Sequence, residues 1–363
     1  LIVSRIHNFN AGPAALPLSV LEQAQAELLD YQGRGMSILE MSHRSREYEA
    51  INAEAEARFK RLLGLREGYR VLFMQGGAST QFAAVPMNFL TAGGVADYVL
   101  TGVWSDKALE EAQRIGEVHV AASTKEEQYR RIPRREEIRL SEAPAYVHVT
   151  SNNTIYGTQW HWWPEAGEAP LVADMSSDIL SRPLEAERFA LIYAGAQKNI
   201  GPAGVTVVLV REDFLAQAGS APPTMLRYKT YAKNNSLYNT PPVFAVYMVN
   251  LVLGWIEESG GLEAIGERNR RKAKLIYDAI DESGGFYRGH AAADSRSLMN
   301  LTFRLADEGL EKPFVEEAKA QGMVGLAGHR SVGGIRASLY NATDVESCRA
   351  LAQFMAEFAR TNG

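Results

Sequence analysis

Two residues, Lys198 and Asp174, stand where side chains of their types could do chemistry. Lys198 follows the apolar run 190–194 directly and precedes Gly201-Pro202-Ala203-Gly204, which puts it on a turn at the carboxyl end of a strand. That is where α/β folds hold ligands. Its small and apolar neighbours predict burial. Burial disfavours the ammonium form, so the neutral amine can attack a carbonyl and later carry a proton. The competing reading is a solvated loop lysine. Asp174 ends a second apolar run, 170–174, so two neighbouring strands would deliver a carboxylate and an amine to one pocket. Taken alone, Asp174 serves equally well as an N-cap for Ser176-Ser177-Asp178.

Other residues supply what an anionic, planar ligand needs. Gln75-Gly76-Gly77-Ala78-Ser79-Thr80 lies between a strand ending at Met74 and an apolar helix over 82–90. Amides at a helix start point at an anion, and the hydroxyls of Ser79 and Thr80 add to them. The run matches neither the dinucleotide fingerprint nor the P-loop. Trp104 follows another strand end and suits either stacking on a flat ring or core packing. His43-Arg44 and His329-Arg330 are basic pairs in loops, with Arg336 close to the second, a composition suited to phosphate or carboxylate as well as to solvent. An amine beside a carboxylate is also what pyridoxal 5'-phosphate (PLP) chemistry uses: the carboxylate keeps the pyridine nitrogen protonated, and the ring then withdraws electrons from a carbanion.

The elements that must position these groups follow from periodicity. Residues 8–17 are rich in Gly and Pro and read as an irregular arm, neither helix nor strand. A helix is expected over 19–29 with Ser19 as N-cap, and another over 46–63 stopping at Gly64. Seven strands are expected at 70–74, 96–100, 116–120, 145–149, 170–174, 190–194 and 205–210. Such short β-branched runs between helical segments predict an α/β fold with a mainly parallel seven-stranded sheet covered on both faces. Helices over 243–259 and 262–283 lead into strands at 298–304 and 334–339 and helices over 312–321 and 344–360, a smaller α+β unit. The expected division is an arm at 1–17, a large domain at 18–260 and a small domain at 261–363.

Bulk properties exclude several classes. With 363 residues, 46% of them hydrophobic, the chain can bury a large core. A formal net charge of -5 lacks the broad positive field of a nucleic-acid binder. One cysteine makes no intrachain disulfide and no zinc motif, so no metal is expected. Residues 1–7 lack the basic and apolar regions of a signal peptide, and no run is apolar enough to span a membrane, so the cytoplasm is the expected location.

Four motifs in order, 8–14, 41–45, 194–204 and 238–242, make the chain closely resemble the phosphoserine aminotransferase family, class-V aminotransferases of the fold-type I PLP enzymes, over nearly its whole length. The resemblance implies a large PLP-binding domain, a smaller C-terminal domain, and a homodimer with active sites at the interface. It implies Lys198 as the Schiff-base lysine, Asp174 at the pyridine nitrogen, Trp104 stacked on the ring, and Thr154 and Gln197 hydrogen-bonded to the cofactor. Ala78 and Ser79 would hold the cofactor phosphate, joined by Asn239 and Thr240 of the other subunit. His43, Arg44, His329 and Arg330 would surround the substrate phosphate, and Arg336 would take the α-carboxylate. Some members carry an arginine where this chain has Ser79, so amides and hydroxyls would do more of the phosphate binding here. The implied reaction is reversible amino transfer between L-glutamate and 3-phosphohydroxypyruvate in serine synthesis, with the phosphohydroxythreonine of vitamin B6 synthesis left open as a second substrate. Rival readings are a fold-type I aminotransferase for unphosphorylated substrates, a cysteine desulfurase relying on Cys348, and a non-catalytic phosphometabolite binder.

Overall fold

The computed structural model describes residues 5–363, so residues 1–4 of the expected arm and of the signal-peptide reading lie outside it. Seven strands form one sheet in the order Tyr69–Met74, Thr206–Arg211, Leu191–Gly195, Leu171–Asp174, Tyr146–Thr150, Val95–Leu100, Glu117–Ser123. Thr206–Arg211 runs antiparallel to both neighbours, and every other pairing after it is parallel. The three central strands, Tyr146–Thr150, Leu171–Asp174 and Leu191–Gly195, are buried at every position. Continuous apolar runs are what a strand covered on both faces requires. One face packs Phe59, Trp160, Val249 and Ile256; the other packs Phe82, Tyr98, Tyr193 and Tyr228.

After the helix Val243–Glu258, the helix Gly261–Asp281 leads into a three-stranded antiparallel sheet of Tyr287–Gly289, Asn300–Leu305 and Ile335–Ser338. With the helices Glu311–Ala320 and Val345–Asn362 it encloses a third core around Phe303, Phe314 and Met355. Side chains set the helix starts where expected. Ser45 accepts from the amide of Tyr48 at 3.2 Å to open Arg46–Leu62, and Asp344 accepts from Ser347 at 2.6 Å to open Val345–Asn362. Among the described residues, no helix is long and apolar enough to cross a membrane.

Three local expectations are corrected. Ser19 is not an N-cap: the helix Leu18–Glu27 starts one residue earlier, and the Pro17 carbonyl accepts its first bond, from Leu21 at 3.2 Å. The arm is not wholly irregular, because His7–Asn8 pairs in parallel with Met323–Val324. Phe9, fully buried in the third core, anchors that pairing. The glycine-rich turn is shorter than expected. Gly76 takes a left-handed φ of 94°, and the helix Gly77–Phe89 begins at once. A Cβ on Gly76 would overlap Thr80, whose hydroxyl donates to the Gly76 carbonyl at 3.0 Å.

Candidate active site

The carboxyl ends of adjacent strands bring Asp174 and Lys198 to one cleft. Ser176 ties those ends together: its hydroxyl donates to Asp174 Oδ1 at 2.6 Å and accepts from the amide of Gly195 at 3.1 Å. The amide of Ser176 also donates to Asp174 Oδ1, at 2.9 Å. Asp174 Oδ2 has no hydrogen-bond partner among the described residues, so one oxygen is fixed and the other is free for a donor. Burial pushes the Asp174 carboxyl above the usual range, against the opposing pull of Lys198 and Ser176.

Burial draws the Lys198 amine down, more than Asp174 raises it, and Arg336 adds to the lowering. Nζ of Lys198 makes no hydrogen bond or ion pair among the described residues, and it stands 5.6 Å from the centre of the Trp104 ring. An unpaired amine of lowered basicity beside an aromatic face is a nucleophile held ready for a carbonyl. The arm covers it: the amide of Ala14 donates to the carbonyl of Gln197 at 3.0 Å. At Gly12, with φ 143°, a Cβ would lie 3.3 Å from Cγ of Lys198. The side chain of Gln197 folds back over Gly195, where a Cβ would meet Oε1 at 2.7 Å.

Thr154 joins two more expected residues. Trp104 Nε1 donates to its hydroxyl at 2.9 Å, and Arg336 Nη1 donates to its carbonyl at 3.3 Å. Arg336 Nε is buried and unpartnered, as is Nε2 of Gln75 at the strand end before Gly76. Buried donors left open in this way call for a ligand or water. The amides of Gly77, Ala78 and Ser79 form the open end of their helix and find no acceptor among the described residues. Beside Arg336 a cavity of about 570 Å³ runs past Ile155, Tyr156 and His329. Nδ1 of His329 lies 2.7 Å from the Ser331 hydroxyl. Burial first, then Arg336, Arg330 and Lys107, draws the His329 ring below the usual range. Arg330 is exposed.

Four expected residues are not brought to Lys198 within one chain. Asn239 and Thr240, and likewise His43 and Arg44, make no hydrogen bond to the residues around Lys198. Thr240 and Arg44 are exposed, while Oδ1 of Asn239 and Nε2 of His43 are buried without partners. Cys348 is fully buried in the helix Val345–Asn362, and burial pushes its thiol up to about 12. That removes the mobile thiolate a desulfurase needs. The expected cap of Asp174 on Ser176-Ser177-Asp178 forms, since Asp174 Oδ1 accepts from the Ser176 amide; what sequence reasoning missed is the Ser176 hydroxyl's second bond, to Gly195 on the neighbouring strand. It also missed Asn199 and Asn341, for which no local signal existed.

An unpaired strand-end lysine, a buried carboxylate on the neighbouring strand, a tryptophan beside the amine and an open helix start define a PLP-type site on an α/β fold. The family description aminotransferase class-V matches residues 6–351. The phosphoserine aminotransferase of Herpetosiphon aurantiacus is 64% identical over 99% of both chains. The solved phosphoserine aminotransferase from Bacillus circulans subsp. alkalophilus superposes with a TM-score of 0.97 at 63% identity, covering 99% of each chain. A PLP-bound phosphoserine aminotransferase from Trichomonas vaginalis gives 0.90 at 40% identity, covering 97% of this chain and 100% of that one. The chain belongs to the class-V aminotransferase family of fold-type I enzymes and, within it, to the phosphoserine aminotransferases.

Proposed function

We propose that this chain moves the amino group of L-glutamate to 3-phosphohydroxypyruvate, reversibly, giving O-phospho-L-serine and 2-oxoglutarate in L-serine synthesis. The observation that carries the reading is the unpaired Lys198 amine, lowered in basicity, beside the Trp104 ring and under the charge of Asp174. PLP, when bound, supplies the electron sink that stabilises a carbanion at the substrate Cα. Asp174 Oδ2 would hold a proton at the ring nitrogen, Trp104 would offer its face, and Thr154 and Gln197 would fix the ring edge. The amides of Ala78 and Ser79 with the Ser79 hydroxyl would take the cofactor phosphate. Lys198 Nζ, as a neutral amine, would take the proton from the substrate Cα and redeliver it. Arg336 grips the α-carboxylate that every substrate of the reaction shares.

The proposal includes a homodimer in the cytoplasm and the division into residues 1–17, 18–260 and 261–363. Asn239 and Thr240 would reach the cofactor phosphate of the partner subunit's site. His43 and Arg44 would cross in the same way to meet His329 and Arg330 around the substrate phosphate. The exposure of Thr240 and Arg44, and the unpartnered Asn239 Oδ1 and His43 Nε2, support that crossing. The phosphohydroxythreonine of vitamin B6 synthesis carries the same phosphate and α-carboxylate and suits the same contacts.

The test is the visible absorbance of purified protein loaded with PLP and titrated with amino donors. Phosphoserine and glutamate should bleach the band while alanine does not. A protein that stays colourless with PLP, or one bleached as readily by alanine, would overturn the reading in favour of a metabolite binder or an unphosphorylated-substrate aminotransferase respectively.

A further inference from the structure

Behind the site lies a buried polar knot that the proposed chemistry does not use. Lys272, on the helix Gly261–Asp281, is fully buried. Its ammonium donates to the carbonyls of Leu339, Tyr340 and Thr343 at 2.9, 2.8 and 2.9 Å. A neutral amine has one hydrogen too few for three acceptors, so these bonds favour the charged form that burial disfavours. Those carbonyls belong to the turn that continues from the strand Ile335–Ser338, which carries Arg336. One helical turn before Lys272, Asn269 donates to the Ser181 carbonyl and to Asn341 Oδ1, each at 2.8 Å.

Asn341 is where the knot closes. Its side-chain amide donates to the Leu180 carbonyl at 2.9 Å, and its backbone amide donates to Asn199 Oδ1 at 2.9 Å. Asn199 in turn donates to the Ile179 carbonyl at 2.5 Å. Asn199 is the neighbour of Lys198, and residues 179–181 follow the segment that leaves Asp174. Leu180 holds a left-handed φ of 55°, which an L side chain adopts only where surrounding bonds impose it. The adjacent Tyr340 donates its hydroxyl to the Ala11 carbonyl of the arm at 2.8 Å.

We propose that Asn341 is a positioning residue, held from behind by Lys272 and Asn269, that locks the Lys198 turn and the Arg336 strand into one register. The amine that moves the proton and the guanidinium that grips the carboxylate then keep a fixed separation. Both come from different sheets, and Asn341 ties the turn beside Arg336 directly to the turn of Lys198. This inference rests on the roles proposed above for Lys198 and Arg336.

The experiment compares wild-type holoenzyme with Asn341→Ala, which removes the side-chain bonds to Leu180 and Asn269, and with Asn199→Ser, which removes the carboxamide oxygen that accepts from the Asn341 amide. Three quantities are read: KM and kcat for glutamate and for phosphoserine, the pH midpoint of the PLP absorbance change, and the thermal midpoint. Loss of a buried hydrogen bond of this kind is worth about tenfold. We expect KM for both substrates to rise together by about that factor, and the absorbance midpoint to move away from the wild-type value. A variant with a lower thermal midpoint but unchanged KM values and absorbance midpoint shows a merely structural role and overturns the proposal. If the alanine variant does not fold, the serine variant decides by the same two readings. A wild-type protein without turnover or absorbance change would instead sink the functional reading, so the two failures are distinguishable.

Discussion

At the scale of single residues, the site is a contest between burial and charge. Burial raises Asp174 and lowers Lys198, and each partly offsets the shift of the other. Replacing Lys198 by alanine should abolish turnover and leave the fold intact, because the lost amine supports no other described side chain through a hydrogen bond. A variant turning over at near the wild-type rate would refute the assignment. Arg336 and Arg330 should separate by substrate. Removing a guanidinium from a desolvated carboxylate contact costs about 3 kcal/mol, on the order of 100-fold. Arg336→Ala should therefore reduce kcat/KM by that order for glutamate and phosphoserine alike. Arg330→Ala should harm phosphoserine more; equal losses for both would contradict the division of roles. The places of Lys198, Asp174 and Trp104 in the fold were legible in the sequence because each closes or follows an apolar run that forms a strand of the large sheet. The Ser176 bond to Gly195 and the links of Asn341 were not. The bond between Asn341 and Asn199 spans 142 residues, and no spacing in a single sequence announces it.

At the scale of elements, the strand Tyr146–Thr150 carries a histidine where apolar residues are the rule. His148 Nε2 lies 2.8 Å from the Tyr193 hydroxyl, and its ring stacks on Tyr98 at 4.9 Å. Full burial pulls its pKa from 6.5 to about 3. The unfolded chain takes the proton first, so this stabilisation is complete above about pH 6.5 and is lost as pH falls toward 3. Between pH 6.5 and pH 4 the loss from this group is roughly 3 kcal/mol. In urea unfolding at those two pH values, His148→Gln should show a correspondingly smaller drop than wild type, and an undiminished drop would rule the group out. All seven strands of the large sheet were readable from β-branched runs. The hairpin of Asn152–Asn153 with Thr158–Gln159 was not, because buried polar residues show no apolar alternation, and Asn152, Asn153 and Gln159 are stabilised by side-chain bonds from distant segments.

At the scale of the whole molecule, the proposed dimer makes each site a shared object. Lys198→Ala and Asn239→Ala/Thr240→Ala subunits should each be inactive alone. Mixed after unfolding and reassociation, half of the dimers would be hybrids with one site intact, restoring about a quarter of wild-type activity. A hybrid without activity would mean that Lys198 and Asn239 serve the same site from one chain. The large and small units were visible in the sequence as a change from alternating strand and helix to a helix-rich tail. What joins them was not.

The arm has a consequence in time as well as space. His7–Asn8 pairs with Met323–Val324. A ribosome that has already delivered the arm must therefore add more than three hundred residues before its partner strand exists. From residue 211, where the last strand of the large sheet ends, to residue 324, the sheet can form and present Lys198 while the strand that anchors the arm is still missing. The nascent chain thus passes through a stage in which its nucleophile is made but the arm is not yet anchored, and translation past residue 324 is what completes the cover.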